Sequence, residues 1–184
     1  CPHYYRFGKD GESESEFVAR LVQSLRDLIE REGPDTIAAM IAEPVMGAGG
    51  VLVPPQNYFA EIQKVLDEHD IMMISDEVIN GFGRTGNWWG CQTTGMKPKT
   101  ISAAKQLTSA YAPLGAVLVP DDVYDAYVSH SEKIGTFGHG FTYGGHPLGC
   151  ALGVKAIEIY QKNDILGHVR KISPLFEARL KKVA

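Results

Sequence analysis

The sequence has 184 residues, enough for one domain with its own core, and its 44% hydrophobic and 22% charged residues are ordinary proportions for a globular protein. The formal net charge of −4 argues against nucleic-acid binding, which leaves a basic footprint, and no apolar run is long enough to cross a bilayer. The three cysteines lie far apart without paired-ligand spacing, and no signal-peptide pattern opens the chain, so we expect a cytoplasmic location.

The first half of the chain predicts two amphipathic helices that alternate with two strands. Residues 14–32 carry apolar side chains at helical spacing, and Gly33 ends this helix. Its expected inward face consists of Phe17, Leu21, Leu25, Leu28 and Ile29. The apolar run at 36–45 predicts a buried strand, residues 58–70 predict the second helix, and residues 71–78 predict the second strand.

The second half predicts two further short buried strands and three helices. The strands are residues 100–105 and 115–120, and the helices are residues 121–130, 144–161 and 165–183, the last interrupted near Ser173-Pro174. Helices that alternate with continuously apolar strands indicate a single α/β domain. We expect a mainly parallel sheet that helices cover on both faces.

Two ionisable side chains end predicted strands, at the edge where open α/β sheets bind ligands. Asp76 ends the strand at 71–78, and Lys105 ends the strand at 100–105. The lysine is either a side chain that reaches solvent through its long stem or a buried amine able to form a Schiff base. The pair Asp76-Glu77 is either a solvated turn or an anion for a cationic heterocycle. The strands alone leave both alternatives open.

A third candidate element is the glycine-rich segment at 138–153. Within it, Thr142 and Tyr143 precede two glycines and the start of a predicted helix. Hydroxyl groups and unhindered backbone amides at a helix start suit a phosphate group. The same residues also fit a plain glycine turn capped by threonine.

Three other patterns fail the requirements of the motifs they approach. The glycines of residues 80–86 have GxGxxG spacing, but neither a helix nor an acidic residue follows where a dinucleotide site needs one. His139 and His146 have no third ligand nearby, so we expect no metal site. Residues 47–50 lack the Gly-Lys-Ser/Thr ending of a nucleotide-binding loop.

Taken in order, these segments resemble a known family, the class III (omega-type) aminotransferases. The similarity lies in ISDEVINGFGRTG (74–86), AAKQLTSAYAPLGAV (103–117) and GFTYGGHPLGCA (140–151), together with AEPVMGAGGV (42–51) and the opening PHYYR. It extends over essentially the whole chain. The resemblance implies the large domain of a fold-type I transferase that uses pyridoxal 5'-phosphate, working as a homodimer with a shared active site.

The resemblance also implies a role for each matching residue. Lys105 would carry pyridoxal phosphate as a Schiff base and move the proton between substrate and cofactor. Asp76 would pair with the protonated pyridine nitrogen, which makes the ring an electron sink. Val78 would pack on one face of the ring, and Thr142 would bind the phosphate across the dimer interface. Glu43 and Arg84 match positions near the substrate site.

Members of this family are longer than 184 residues. The resemblance therefore predicts that residues 1–184 form part of the cofactor-binding large domain. The N-terminal segment with the Gly-Ser phosphate cup and the C-terminal small domain are absent from this chain. Ile79 follows Asp76-Glu77-Val78, where some members carry glutamine, and this resembles the pyruvate-using amine transaminases.

Our main hypothesis is an enzyme that transfers an amino group from an amine or omega-amino acid to a keto acid such as pyruvate. A second hypothesis is a catalytically silent fragment or subunit of the same fold. A third is another pyridoxal enzyme of this fold, such as an aminomutase or a decarboxylase. A cofactor-free Schiff-base aldolase is the weakest alternative, because it leaves Asp76 and the phosphate-suited helix start unexplained.

Overall fold

A four-stranded sheet organises the computed structural model, which describes residues 1–183. The strands are β1 (Ala39–Ala42), β2 (Met72–Asp76), β3 (Thr100–Ala103) and β4 (Ala116–Leu118). The α-helices are α1 (Tyr4–Phe7), α2 (Glu14–Glu32), α3 (Tyr58–Glu68), α4 (Gly90–Thr94), α5 (Asp121–Ile134), α6 (Pro147–Lys162) and α7 (Ile165–Leu180). Short 3-10 turns lie at Pro34–Thr36 and Lys105–Leu107.

The strands stand in the sheet in the order in which they occur along the chain. β1, β2 and β3 are parallel, and β4 runs antiparallel to β3. The sheet is thus mainly parallel and flanked by helices, which confirms the predicted α/β class. Because β2 and β3 are parallel neighbours, their carboxyl ends meet at one edge, where Asp76 pairs in register with Ser102.

Local sequence explains why α2 has the predicted bounds. The Ser13 hydroxyl accepts the Glu16 amide while the Glu16 carboxylate accepts the Ser13 amide, and this capping box starts the helix. Gly33 ends it with a φ of 85°, a conformation in which glycine carries no steric penalty. Phe17 and Ile29 are buried as predicted, whereas Leu28 is 40% exposed, so its placement on the inward face was wrong.

The main core lies between the sheet and helices α2 and α3. Residues of α3 dominate it, because Phe59, Ile62, Val65 and Leu66 are all at most 2% exposed. Met73 of β2 packs into the same cluster. At roughly 1.5–3 kcal/mol for each large apolar side chain removed from water, this cluster is the principal support for β2 and its carboxyl end.

Three other expectations about the elements were wrong. The two outer strands are not buried, since Ile41 of β1 is 61% exposed and Val117 of β4 is 66% exposed. An apolar run cannot reveal that a strand lies at the edge of a sheet. Helix α7 continues through Pro174 without interruption, because a helix can accommodate one proline at the loss of a hydrogen bond.

No helix in residues 1–183 combines the length and the apolar character that crossing a membrane requires.

Candidate functional site

Asp76 ends β2 with an oriented carboxylate at the carboxyl edge of the sheet. Its Oδ1 accepts a hydrogen bond from the Val78 amide at 3.0 Å and another from the Ser102 hydroxyl at 3.3 Å. The residue is half-buried, and within residues 1–183 its Oδ2 has no hydrogen-bond partner. One oxygen therefore holds the carboxylate in place while the other stays available to a donor on a ligand.

The neighbouring Glu77 has a different environment. It is fully buried, and its carboxylate accepts the backbone amides of Gly90 and Cys91 at 2.7 Å each and the Ser75 hydroxyl at 3.1 Å. The acidic pair thus divides into one carboxylate that faces the edge and one that holds the following loop against the strand. The alternation of strand side chains, which buries Met73, Ser75 and Glu77, is the signal that separates them.

Burial also affects the thiol beside Glu77. The pKa of Cys91 is raised to about 12. The largest cause is the removal of the thiol from water, and the smaller causes are the negative charge of Glu77 and the hydrogen bond between Cys91 and Glu77. Cys91 is therefore a packed thiol that stays protonated, and it has no part in the chemistry of the edge.

Lys105 lies directly after β3, beyond the buried Ala103. The side chain is exposed, so in residues 1–183 it is a solvent-reaching lysine and not a buried amine. The chain leaves the sheet at Ala104 and turns in a left-handed conformation, with a φ of 49° at Lys105. The backbone of Lys105 therefore lies at the same edge as Asp76, because Ser102, three positions earlier, pairs with Asp76.

The segment after Lys105 holds two further left-handed residues, Ser109 at a φ of 51° and Ala110 at a φ of 63°. Such conformations cost of order 1–3 kcal/mol each in residues that have a side chain, so surrounding contacts have to hold them. The Thr108 hydroxyl donates to the Ala112 carbonyl at 2.5 Å. We call residues 105–112 the lysine turn.

Helix α6 supplies another support for the lysine turn. The Tyr160 hydroxyl donates to the Gln106 carbonyl at 2.6 Å and also contacts the Ser109 hydroxyl. Sequence reasoning missed Tyr160, because no motif links it to a lysine so distant along the chain. The small residues Gly149, Gly153 and Ala156 precede it at helical spacing on one face, and that stripe is the signal that could have indicated close packing here.

A cleft of about 1710 Å³ opens beside this edge. Val78 and Ala104 line it at the sheet, and Tyr124 and Tyr127 line it from α5. Most of the remaining lining is also apolar, and neither Asp76 nor Lys105 is among the lining residues. The cleft therefore suits the apolar part of a ligand. Val78 is half-buried and lies two residues after Asp76, in position to contact such a molecule.

Thr142 lies beside this cleft without lining it. It is exposed in the turn before α6, and the cleft lining includes its neighbours Phe141 and Tyr143 but not Thr142 itself. The structure brings Asp76, Val78 and Lys105 to one edge of the sheet and leaves Thr142 exposed in a separate segment.

The two predicted substrate-site residues make local contacts instead of lining the cleft. Glu43 is half-buried after β1, and its Oε2 accepts the Gly47 amide at 2.9 Å. Arg84 is exposed, and its Nε donates to the Ile79 carbonyl at 2.7 Å. In the part of the chain that the structure describes, no group of three or more His, Cys, Asp or Glu side chains is placed to hold a metal ion.

Fold and site together define an α/β protein with an acid and a lysine at the carboxyl edge of a mainly parallel sheet. The model of the aminotransferase class-III family matches residues 2–184. The chain belongs to this family.

Similar proteins carry the same family character. The chain is 52% identical over 181 residues to the probable gamma-aminobutyrate transaminase 3, mitochondrial, of Oryza sativa subsp. indica. This alignment covers 98% of the chain and 36% of the relative. It superimposes on an omega-aminotransferase from Paracoccus denitrificans with a TM-score of 0.96 at 51% identity, over 100% of the chain and 41% of the neighbour. The omega transaminase from Pseudomonas jessenii in complex with PMP gives a TM-score of 0.97 at 44% identity, over 99% and 40%. The chain thus spans well under half the length of these proteins.

Proposed function

We propose that the protein carrying this chain transfers an amino group from an amine or omega-amino acid to a keto acid such as pyruvate, with pyridoxal 5'-phosphate as cofactor. The observation that carries the proposal is the placement of Asp76 and Lys105 at adjacent carboxyl ends of β2 and β3. Membership of the aminotransferase class-III family supports the reaction class. The relative named as a gamma-aminobutyrate transaminase supports an omega-amino acid as donor.

The donor set at the sheet edge fits this cofactor. Val78 and Ser102 already orient the Asp76 carboxylate through one of its oxygens. The second oxygen can therefore accept a hydrogen bond from a protonated ring nitrogen without reorganisation of the site. Val78 offers an apolar side chain to the face of a flat ring. When bound, pyridoxal phosphate supplies the electron sink that lets a substrate carbon lose its proton.

Lys105 has two tasks in this scheme. Its amine would hold the cofactor covalently and, when free, would act as the base and acid that moves the proton of the substrate carbon. Asp76 would stabilise a proton on the ring nitrogen of the cofactor. Both tasks require Lys105 to point to the same edge as Asp76, which makes the conformation of the lysine turn part of the site.

Thr142 has a proposed role that fits its outward position. It binds the phosphate of a cofactor held by a second copy of the protein, and the two active sites of a homodimer are then shared. The exposed Phe141 and Tyr143, each 79% exposed, support an interface at this turn. Glu43 and Arg84 are proposed to help in reading the substrate, from the loops that follow β1 and β2.

The second candidate, a catalytically silent fragment or subunit, is favoured by the exposure of Lys105 within this chain. An aminomutase or a decarboxylase of the same fold differs from a transaminase in its products, because only transamination converts a keto acid into a new amine. The complete protein is therefore incubated with an amine donor and pyruvate, and alanine is measured. Formation of alanine indicates a transaminase, and its absence favours an aminomutase or a decarboxylase.

The decisive experiment traps the cofactor. We expect the complete protein with added pyridoxal phosphate to develop a visible absorbance band, and borohydride followed by peptide mapping to place the adduct on Lys105. Lys105→Ala should lose the adduct and turnover while it keeps its fold, and Lys64→Ala, at an exposed lysine of α3, serves as the matched control. If the folded wild-type protein forms no adduct on Lys105, the proposal is refuted and the silent fragment is favoured.

A further inference from the structure

Within the proposed cofactor chemistry, on which this inference rests, the orientation of Lys105 has to come from the lysine turn. Lys105 itself has a left-handed backbone, and so do Ser109 and Ala110. Residues with side chains adopt this region reluctantly. The turn therefore relaxes to other conformations unless contacts from outside it make the left-handed form the most stable one.

The backbone of the turn also forms hydrogen bonds of its own. The Leu107 amide donates to the Ala104 carbonyl at 3.0 Å, and the Thr108 amide donates to the Lys105 carbonyl at 3.2 Å. Both bonds span three residues and fix local curvature. Neither of them ties the turn to another element of the fold.

The external contact comes from Tyr160, near the end of α6. Its hydroxyl has one proton, which it donates to the Gln106 carbonyl at 2.6 Å. The Ser109 hydroxyl, which also contacts the Tyr160 oxygen, must then be the donor of that second bond. A continuous chain of hydrogen bonds thus runs from Ser109, a left-handed residue, through Tyr160 to the carbonyl of Gln106, the residue that follows the left-handed Lys105.

Packing fixes Tyr160 at this position. Its half-buried ring packs on the small cluster of Phe82, Ala103 and Leu107. Farther along the same helix face, a Cβ at Gly153 would lie 3.1 Å from Leu114 and 3.5 Å from the Leu107 carbonyl. Helix α6 can therefore approach the turn closely only because this face is small, and that approach brings the tyrosine hydroxyl within reach of the Gln106 carbonyl.

We propose that Tyr160, assisted by Ser109, is a positioning residue for Lys105: its hydroxyl holds the lysine turn in the left-handed conformation from which the amine reaches the cofactor. Tyr160 touches neither substrate nor cofactor in this scheme. Its effect is confined to the fraction of molecules in which Lys105 is correctly aimed, and covalent capture of the cofactor depends on that fraction.

The test is Tyr160→Phe in the complete protein, because this change removes the hydroxyl and keeps the ring. Two quantities are measured on cofactor-free protein. One is the rate at which added pyridoxal phosphate forms its borohydride-trappable bond to Lys105. The other is the dissociation constant for pyridoxamine phosphate, which lacks the aldehyde and binds without bonding to the lysine.

We expect Tyr160→Phe to slow bond formation about three- to tenfold, the population change that loss of one hydrogen bond produces, and to leave the dissociation constant for pyridoxamine phosphate within about twofold. Ser109→Ala keeps Tyr160 in place and should slow bond formation in the same direction but less. Tyr58→Phe is the matched control, because Tyr58 lies in the other core cluster and should match wild type in both measurements.

An unchanged rate in both Tyr160→Phe and Ser109→Ala would overturn the inference. Equal weakening of bond formation and of pyridoxamine phosphate binding would overturn it as well, because general damage to the site affects both. If wild-type protein forms no bond at Lys105 at all, the proposed function fails, and that result differs from a wild-type protein that forms the bond as fast as the variants do.

Discussion

The clamp formed by Glu77 gives the sharpest stability prediction. Its carboxylate satisfies two buried backbone amides, those of Gly90 and Cys91, at 2.7 Å each. Glu77→Gln keeps the shape but replaces one oxygen with an NH2 group, which then faces one of these amides. Whichever way the side chain turns, one donor loses its acceptor, at a cost of about 1–3 kcal/mol.

Glu77→Ala removes both acceptors at once. Two orphaned amides cost about 2–6 kcal/mol, so the alanine variant should be the less stable of the two. Urea unfolding of the complete, cofactor-free protein measures this, with tryptophan fluorescence as the signal because Trp89 adjoins the clamp. The exposed Glu61 pairs only with Lys64 on α3, and Glu61→Gln should stay within about 0.5 kcal/mol of wild type. A Glu77→Gln variant as stable as Glu61→Gln would refute the clamp.

Three further predictions concern neighbouring features. Gly90→Ala should be destabilising in the same urea assay, since a Cβ there would lie 2.7 Å from the Cβ of Asn80; a gain in stability would contradict this. Cys91, whose pKa burial raises to about 12, should resist iodoacetamide at pH 8 until urea unfolds the protein, and peptide mapping that finds early labelling would disprove the packing. The hydrogen bond from Arg20 lowers the pKa of Glu12 to about 2, so its stabilisation is complete above the unfolded value of 4.5 and is lost as the pH falls towards 2. Unfolding curves of wild type and Arg20→Gln should therefore converge in that pH range, and a difference that grows with acid would exclude the pair as its source.

Much of the fold could be predicted because its central elements carry strong patterns. Helix α2 has both a capping box and a terminal glycine, and β2 is an apolar run of ordinary length. The direction of β4 could not be predicted, since three exposed residues carry no periodicity and either direction satisfies the same short run. The exposure of Ile41 likewise depends on which strands stand beside β1, and that is a property of the sheet and not of the strand.

The site divides in the same way. Asp76 and Lys105 could be placed together from sequence, because each ends a strand and parallel strands share a carboxyl edge. The different environments of Asp76 and Glu77 follow from the alternation of buried and half-buried side chains along β2, and this alternation could have been predicted from the sequence. The contact between Tyr160 and the lysine turn depends on how closely α6 packs, and three-dimensional packing of this kind leaves only an indirect trace in the stripe of small residues.

Helix α6 imposes a constraint on how the length of this chain can vary. It runs from the turn that carries Thr142 to the hydroxyl beneath the lysine turn, and its 16 residues span about 24 Å at 1.5 Å each. One residue inserted between Gly153 and Tyr160 would rotate the tyrosine by about 100° and point its hydroxyl away from Gln106. Insertions should therefore be rejected in this part of α6, although half of its 16 residues or more are exposed to solvent.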